Sequence, residues 1–505
     1  MKTIKQKLVN HSMLALLSGI ISVFAFAPYH LYPLALVGLI GLLTSFIYSD
    51  SNKLAMKRGF IFGLGFFGVG MYWIYISIYQ FGQAPVIIAG VLTLLLIMLL
   101  STIPALVGYC FTRFYPYNNL IKLCLVFPAM WALGEWVRSW LFTGLPWLLM
   151  GSSQTNYLFK GIAPLAGVIM ISFILAHFAG VCVYAALSIR RKRIYSAIYL
   201  ILFIVGLLYS SSLQWTTPIG KPITTSLVQA NISQSLKWDP LQAQKTVEKY
   251  QKLSAPLWDK SQLVVWSEAA VPTPMPLSAL TITELEQEAT QHNSGLIFGV
   301  PTQAIDGNSN YNAAMAVGNI QGEYYKRHLV PFGEFFPAAA LSSFILKYLD
   351  IPMSNFTAGD PEQPPMEMGD IKFATFICYE IIFPEDVSGV IDSTGANVIV
   401  VLSDDAWFGH SSAQAQQLQM AQMRAMENGR YVISSTNNGL TAVINQQGKI
   451  IAQAEPYKTT VLTAQVQPME GSTPWLRWGI DIILLLSLVC LFIGKNLENR
   501  FPKLT

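Results

Sequence analysis

Eight apolar stretches, at about 12–27, 31–48, 60–79, 85–112, 121–140, 162–189, 194–213 and 475–494, constrain this chain more than any other feature. A hydrocarbon core takes roughly 20 apolar residues of helix to cross, since no water is present there to satisfy an unpaired backbone. Seven spans are therefore expected before residue 214 and an eighth near the end. Composition agrees: hydrophobic residues make up 53% of the 505 and charged residues 12%, the latter roughly half of what an average soluble protein carries. This excludes a disordered or acidic-tail protein, and a net charge of +4 offers no dense basic surface for nucleic acid.

Basic residues set the expected orientation. Lys2, Lys5 and Lys7 precede the first stretch, Lys53, Lys57 and Arg58 follow the second, Arg113 and Lys122 flank the fourth-to-fifth turn, and Arg190, Arg191, Lys192 and Arg193 follow the sixth. The alternate turns, 28–30, 80–84 and 142–160, hold only Lys160. By the positive-inside rule the N-terminus is cytoplasmic, the segment between the last two spans is exported, and the eighth span returns Lys495, Arg500 and Lys503 to the inside. The expected divisions are a transmembrane domain at 1–213, an extracytoplasmic domain at 214–468, and an eighth span with a cytoplasmic tail at 469–505. Ala25-Phe26-Ala27 after lysines and an apolar run imitates a signal-peptide cleavage site, but Pro28 disfavours cleavage and removal would break the charge alternation.

Within the exported segment the pattern changes. Short β-branched runs at 224–230, 263–266, 296–300, 373–377, 398–402, 432–435, 440–444 and 460–466 read as strands, and 240–253, 281–292 and 411–430 read as helices. Strands and helices mixed in this way predict a layered α/β domain.

Common chemical signatures are missing: there is no phosphate-cradling glycine loop, no H-E-x-x-H, no C-x-x-C and no G-x-S-x-G. No metal and no cofactor is expected. Cys110, Cys124, Cys182 and Cys490 lie in apolar stretches, where a thiol acts as a small filler. Cys378 is the single cysteine of the exported segment, at the point where the run Lys372-Phe373-Ala374-Thr375-Phe376-Ile377 gives way to a turn. An unpaired thiol in an oxidising compartment is a liability unless it is used, although a lone cysteine can also be a buried structural one.

Two further segments tilt that balance. Trp266-Ser267-Glu268-Ala269 places a carboxylate beyond an apolar strand, and Tyr325-Lys326-Arg327-His328-Leu329-Val330-Pro331-Phe332-Gly333-Glu334 places a lysine before a Pro/Gly turn. Together with Ile377-Cys378-Tyr379-Glu380 and Ser403-Asp404-Asp405-Ala406-Trp407-Phe408-Gly409, these segments resemble the nitrilase superfamily, whose catalytic triad runs Glu, Lys, Cys. The match looks most like its membrane branch, the apolipoprotein N-acyltransferases, and continues at Phe26-Ala27-Pro28, Tyr72-Trp73-Ile74-Tyr75, Glu135-Trp136-Val137-Arg138 and Thr143-Gly144-Leu145-Pro146-Trp147. Ser267 departs from the pattern, which has proline there.

The resemblance implies an eight-span α-helical membrane domain plus an α/β nitrilase-like α-β-β-α sandwich domain, in a bacterial inner membrane with the sandwich periplasmic and both termini cytoplasmic. It implies a catalytic Glu268, Lys326 and Cys378, with Glu334 orienting Lys326, and Tyr379 and Glu380 shaping the nucleophile's turn, unless these two only stabilise it. Trp238, Trp407 and Trp147 are carried over as substrate-binding positions, though buried tryptophans are often only packing. The implied reaction moves an acyl chain from a phospholipid to the N-terminal amine of a diacylglyceryl-modified apolipoprotein through a Cys378 thioester. The implied partners are these two substrates and the bilayer, and the chain is expected to be a monomer.

The chemistry has one difficulty. A free thiol and a free carboxylic acid differ by about four pKa units, so moving the Cys378 proton to Glu268 costs roughly 5 to 6 kcal/mol. Burial of Glu268 and the charge of Lys326 are expected to narrow that gap. Lipid access is expected from the apolar residues Phe335, Phe336, Leu341, Phe344, Ile345, Tyr348, Leu349, Ile351, Met353 and Phe356, as a membrane-dipping lid or as a helix packed on the core. Glu135 and Arg138 share a helix face, where they either admit a lipid headgroup or form a structural pair. Two alternatives stay open: a membrane-tethered amidase using water as acceptor, and a non-enzymatic transporter or receptor with an exported binding domain.

Overall fold

Helices occupy all eight apolar stretches. The computed structural model describes residues 2–117, 119–156, 158–304, 307, 309–335 and 356–497. The chain divides into a helical unit of Met1–Tyr75, Ile87–Leu213 and Trp478–Thr505, and a second unit of Ile76–Val86 and Gln214–Arg477.

Among the described residues, three helices are long and apolar enough to cross a membrane: Val86–Phe114, Leu158–Leu187 and Arg190–Ser210. A fourth is added if Asn52–Gly70 and Trp73–Phe81, bent by 52° at their junction, count as one span. Small residues bring the helices together. A side chain on Gly65 would lie 2.6 Å from the Leu16 carbonyl oxygen, so glycine there lets Lys2–Val23 approach Asn52–Gly70 closely. Two of the basic residues cap helix ends. Arg58 is buried and donates to the carbonyls of Ser45 (2.7 Å) and Tyr48 (2.8 Å), closing helix Pro33–Ile47. Arg193 donates to the carbonyl of Ser188 (2.8 Å), just beyond helix Ala163–Leu187. His177 is satisfied by the Cys124 carbonyl at 2.6 Å and the Tyr199 hydroxyl at 2.8 Å.

The second unit is built on two six-stranded sheets. The strands in chain order are β1 (Thr217–Pro218), β2 (Ile223–Gln229), β3 (Leu263–Val265), β4 (Gly295–Gln303), β5 (Asn310–Gly318), β6 (Gly322–Tyr325), β7 (Met366–Met368), β8 (Ile371–Ile377), β9 (Val398–Ser403), β10 (Tyr431–Thr436), β11 (Ala442–Ile444), β12 (Ile450–Gln453), β13 (Thr460–Val466) and β14 (Met469–Glu470). One sheet has the order β13-β2-β3-β4-β5-β6 and the other β12-β11-β10-β9-β8-β7, while β1 pairs with β14. Inward residues of the first sheet, such as Leu227, Val265 and Ile297, share one core with Phe373, Val400 and Ile433 of the second. The alternate residues Val228, Val264, Leu296 and Phe298 face outward, where Val247 and Tyr250 of helix Ala243–Ser254 and Leu285 of helix Ala279–Gln291 cover them. Helices Pro384–Thr394 and Ala413–Asn428 cover the second sheet, packing against β8 and β10. The result is an α-β-β-α sandwich.

Every strand read from the sequence is present, and β1, β5, β6, β7, β12, β14 and helices Gln234–Lys237 and Pro384–Thr394 are additional. Strand β5 reads Asn-Tyr-Asn-Ala-Ala-Met-Ala-Val-Gly, without alternation or β-branched enrichment, and is held in the sheet by pairing with β4 on one side and β6 on the other. The lid residues from Phe336 to Met353 lie outside the described residues; of its ends, Phe335 bridges to Pro331, and Phe356 bridges to Asn310 and donates to the Glu334 carbonyl at 3.0 Å.

Candidate active site

Strand ends of both sheets supply the site. Glu268 follows β3 and Trp266-Ser267, both fully buried. The Ser267 hydroxyl meets the Tyr250 hydroxyl at 2.7 Å, so the residue that departs from the family pattern fastens its loop to helix Ala243–Ser254 by a bond proline could not make. Gly299 of β4 passes directly beneath: a Cβ there would lie 2.8 Å from the Glu268 Cα and nearer still to the Ala269 nitrogen. Lys326 follows β6 and is 1% exposed. Cys378 follows β8 with φ +54°, in the left-handed region that a residue with a Cβ rarely adopts. This sharp corner turns the thiol out of the sheet and opens the turn Cys378–Ile382.

A polar network joins these ends. The Lys326 ammonium donates to Glu334 Oε1 at 2.8 Å. Asn312 Nδ2 reaches both carboxylates, Glu268 Oε1 at 2.8 Å and Glu334 Oε1 at 2.9 Å, and the Asn312 carbonyl accepts from the Lys326 backbone N–H at 2.8 Å. Glu334 Oε2 accepts from the Val330 N–H at 2.8 Å, which closes the Pro/Gly turn around the lysine. The second carboxylate oxygen of Glu268 accepts from the Asp404 N–H at 3.0 Å.

Electrostatics follow from burial and from these partners. Burial raises the Glu268 carboxyl above the ordinary range, opposed chiefly by the charge of Lys326. Burial also pushes the Cys378 thiol well up, reinforced by Glu268 and opposed by Lys326. Burial works against the charge of Lys326, but Glu334, Glu268 and Cys378 together outweigh it and leave the ammonium raised and firmly charged. The expectation that burial would narrow the gap between thiol and carboxylate therefore meets an opposing effect, because the same burial raises the thiol. Burial thus raises both groups together and does not by itself bring thiol and carboxyl into range of one another.

Glu380 is buried and ties the nucleophile's turn to the lysine segment. Its Oε1 accepts from the Tyr324 hydroxyl (2.8 Å), the Arg327 N–H (2.8 Å) and the His328 N–H (3.0 Å), and its Oε2 from the Ile377 N–H (2.7 Å). Glu380→Gln turns an amide N–H₂ toward these donors. It is expected to cost about 2 to 4 kcal/mol of stability and to slow acyl transfer, checked by thermal unfolding and turnover on the same preparation. Tyr379 is half-buried, with Phe383 at 5.0 Å and His328 at 5.8 Å between ring centroids.

Trp238 is half-buried next to Lys237, whose ammonium lies 5.9 Å from its ring centroid. Trp407 is half-buried in the turn Asp405–Phe408, with its ring 6.0 Å from Phe81 and its carbonyl accepting from Ser77 at 2.7 Å. Glu135, Arg138 and Trp147 belong to the helical unit. Glu135 Oε1 accepts from the Met150 N–H (2.8 Å) and the Trp131 indole (3.1 Å), while Arg138 donates to the carbonyls of Leu145 (2.9 Å), Trp147 and Leu148 (3.3 Å). Trp147 is fully buried, 4.7 Å from Trp73 between ring centroids. The two charged residues thus pin the loop 145–150 by its backbone.

Sequence reading missed Asn312, Lys237 and Asp404. Asn312 interrupts an alanine-rich strand and carries no motif. Asp404 stood within a quoted motif without being singled out, and Lys237 precedes the Trp238 that was.

Comparison with known proteins agrees with this architecture. Residues 18–181 match the apolipoprotein N-acyltransferase N-terminal domain, and residues 224–474 match the carbon-nitrogen hydrolase domain. The chain is 41% identical to the apolipoprotein N-acyltransferase of Coxiella burnetii, over 94% of this chain and 99% of that protein. It is 36% identical to that of Vibrio cholerae, over 92% of this chain and 93% of that protein. Among solved structures, an amidase from Nesterenkonia sp. aligns with a TM-score of 0.37 at 18% identity, over 49% of this chain and 92% of that one. The chain belongs to the apolipoprotein N-acyltransferase family.

Proposed function

We infer that the protein transfers an acyl chain from a phospholipid to the N-terminal amine of a diacylglyceryl-modified apolipoprotein, by way of a thioester on Cys378. The observation that carries this reading is the convergence of Glu268, Lys326 and Cys378 from three strand ends, with each of the other two charges felt at the thiol. Glu268 takes the thiol proton as the sulfur attacks the donor ester carbonyl. The ammonium of Lys326, fixed by Glu334, meets the negative charge that grows on the carbonyl oxygen. Glu268 then gives its proton to the departing alcohol, leaving a lysophospholipid and the acyl-enzyme. The neutral amine of the apolipoprotein attacks the thioester and leaves as an amide, and its proton passes to the thiolate through Glu268. A thioester is reactive enough to drive this second half without a nucleotide, so the kinetics are ping-pong.

The same reading carries the topology: eight spans, an N-terminal domain of 1–213, a periplasmic catalytic domain of 214–468, and an eighth span and tail in 469–505, with both termini cytoplasmic in a bacterial inner membrane and the chain acting as a monomer. Trp238 and Trp407 take substrate-binding roles in the catalytic domain, and Trp147, Glu135 and Arg138 take substrate-binding roles within the helical unit.

Mass spectrometry of the protein incubated with phospholipid tests the reading. One acyl group on the peptide containing Cys378 is expected, labile to neutral hydroxylamine and discharged by a diacylglyceryl-peptide with a free amine. Discharge by water at the same rate would favour the amidase alternative, and the absence of any adduct would defeat the reading.

A further inference from the structure

Two buried charges beside Glu268 take no part in the reaction just described. Lys237 and Asp404 are each 3% exposed and form an ion pair. Lys237 closes the short helix Gln234–Lys237, and its ammonium also donates to the backbone carbonyl of Glu268 at 2.7 Å. Asp404 lies just past β9, and its own N–H is the donor to Glu268 Oε2 at 3.0 Å.

A third residue completes the ring. Asn437 donates to Asp404 Oδ1 at 3.2 Å and to the Ile232 carbonyl at 2.8 Å, and it accepts from the Ile232 N–H at 2.9 Å. The segment that carries Lys237 is thus fastened to the strand end that carries Asp404, and both hold Glu268.

We propose that Lys237 and Asp404 act as one positioning device, gripping Glu268 by its carbonyl and by its carboxylate so that the base is fixed before substrate arrives. The proposal rests on the reading of Glu268 as the base. An ion pair serving stability alone can often be replaced by apolar groups at little cost; here the ammonium also holds the Glu268 carbonyl and the backbone N–H beside the paired carboxylate meets its side chain, so replacement is expected to cost rate as well. The second consequence is electrostatic. The charged and titratable groups facing Glu268 are Lys326, Glu334, Lys237, Asp404, Asp405 and Cys378. Of these groups only the two lysines favour its ionised form, beside the neutral Asn312 donor, so removing Lys237 makes the carboxylate harder to ionise.

The test follows the rate of acyl-adduct formation on Cys378 in full-length protein over about pH 5 to 9, using a phosphatidylethanolamine in detergent micelles. Lys237→Met is expected to move the acid limb of the profile up by about one pH unit and to lower its plateau roughly tenfold. Lys237→Arg keeps the charge, so its midpoint returns to that of the wild type even where the plateau stays low. The double variant Lys237→Met with Asp404→Asn removes both charges and folds without a lone buried ion. Its midpoint is expected near the wild type and its plateau low, because the carbonyl grip is lost. An unmoved midpoint in Lys237→Met would assign the pair a structural role only, and a wild-type plateau in the double variant would remove the grip. If the wild type itself forms no adduct, the acyl-transfer reading falls and this inference with it.

Discussion

Cys378→Ala loses acyl transfer to the background level, a fall of at least about four orders of magnitude, since no other group described in the site can carry the acyl chain. The expectation depends on where the sulfur is. The left-handed corner at Cys378 exists because β8 must end there and turn at once into Cys378–Ile382, and Glu380 holds that turn through the Ile377 N–H. Alanine can occupy the corner at the same conformational cost, so the variant is expected to fold with the wild-type thermal midpoint while forming no adduct. Cys378→Ser gives a sharper result. Its oxygen sits in the same place but is a poorer nucleophile, and the ester it forms is a weaker acyl donor than a thioester. Acylation should be slow, and the adduct should resist both neutral hydroxylamine and the peptide amine. Full activity in Cys378→Ala, measured as amide product on a diacylglyceryl-peptide, would show that the sulfur does not carry the chain.

Glu268 and Cys378 were legible because each follows an apolar strand, whereas Lys326 follows the polar Gly322-Glu323-Tyr324-Tyr325 of β6 and was legible only through the Pro/Gly-turn motif that resembles the nitrilase superfamily. The sequence also showed the strands of the sandwich interior, where β-branched residues run without interruption because both faces are covered. What it did not show is what depends on tertiary pairing. Strand β5 is alanine-rich, and its buried Ala313 and Ala314 owe their conformation to β4 and β6, not to their own propensity. Asn312 lies on that strand, so its bridge between Glu268 and Glu334 was invisible too. Helix Pro384–Thr394 also went unread, although its boundary signals stand in the sequence: Pro384 opens it and Gly395, at φ +67°, closes it in the left-handed region.

The membrane part shows the same division. Hydropathy located the eight long apolar stretches but said nothing of the short 3-10 segments Met150–Gln154 and Leu158–Ile162, or of the 52° bend after Gly70, where the helix breaks at Met71. Nor could a count of basic residues reveal that Arg58 turns inward to cap helix Pro33–Ile47. Composition responds to the average environment of a segment. Caps and bridges depend on single atoms brought from elsewhere in the chain.

Lys326→Met should combine a catalytic loss with a loss of fold stability, and the two can be read separately. The ammonium is the one group described beside Cys378 that is held charged by both carboxylates, at 2.8 Å from Glu334 and within electrostatic reach of Glu268. In the proposed mechanism, removing it takes away the cation that meets the growing oxyanion, and a fall of about 10² to 10³ in rate is expected. It also strands Glu334, which keeps only Asn312 and the Val330 N–H as donors, and breaking a buried pair on one side costs about 3 to 5 kcal/mol. Glu268 loses its strongest opposing charge, so its carboxyl rises further and the acid limb of adduct formation moves to higher pH. Lys326→Met with Glu334→Gln removes the stranded charge and should recover most of the thermal stability while leaving the rate low. Lys326→Arg keeps the charge but replaces a compact ammonium by a planar fork that the space between Glu334 and Cys378 was not shaped for, so little activity should return. Adduct formation at the wild-type rate in the stabilised double variant would mean that the oxyanion is held by other donors, and that Lys326 serves the fold alone.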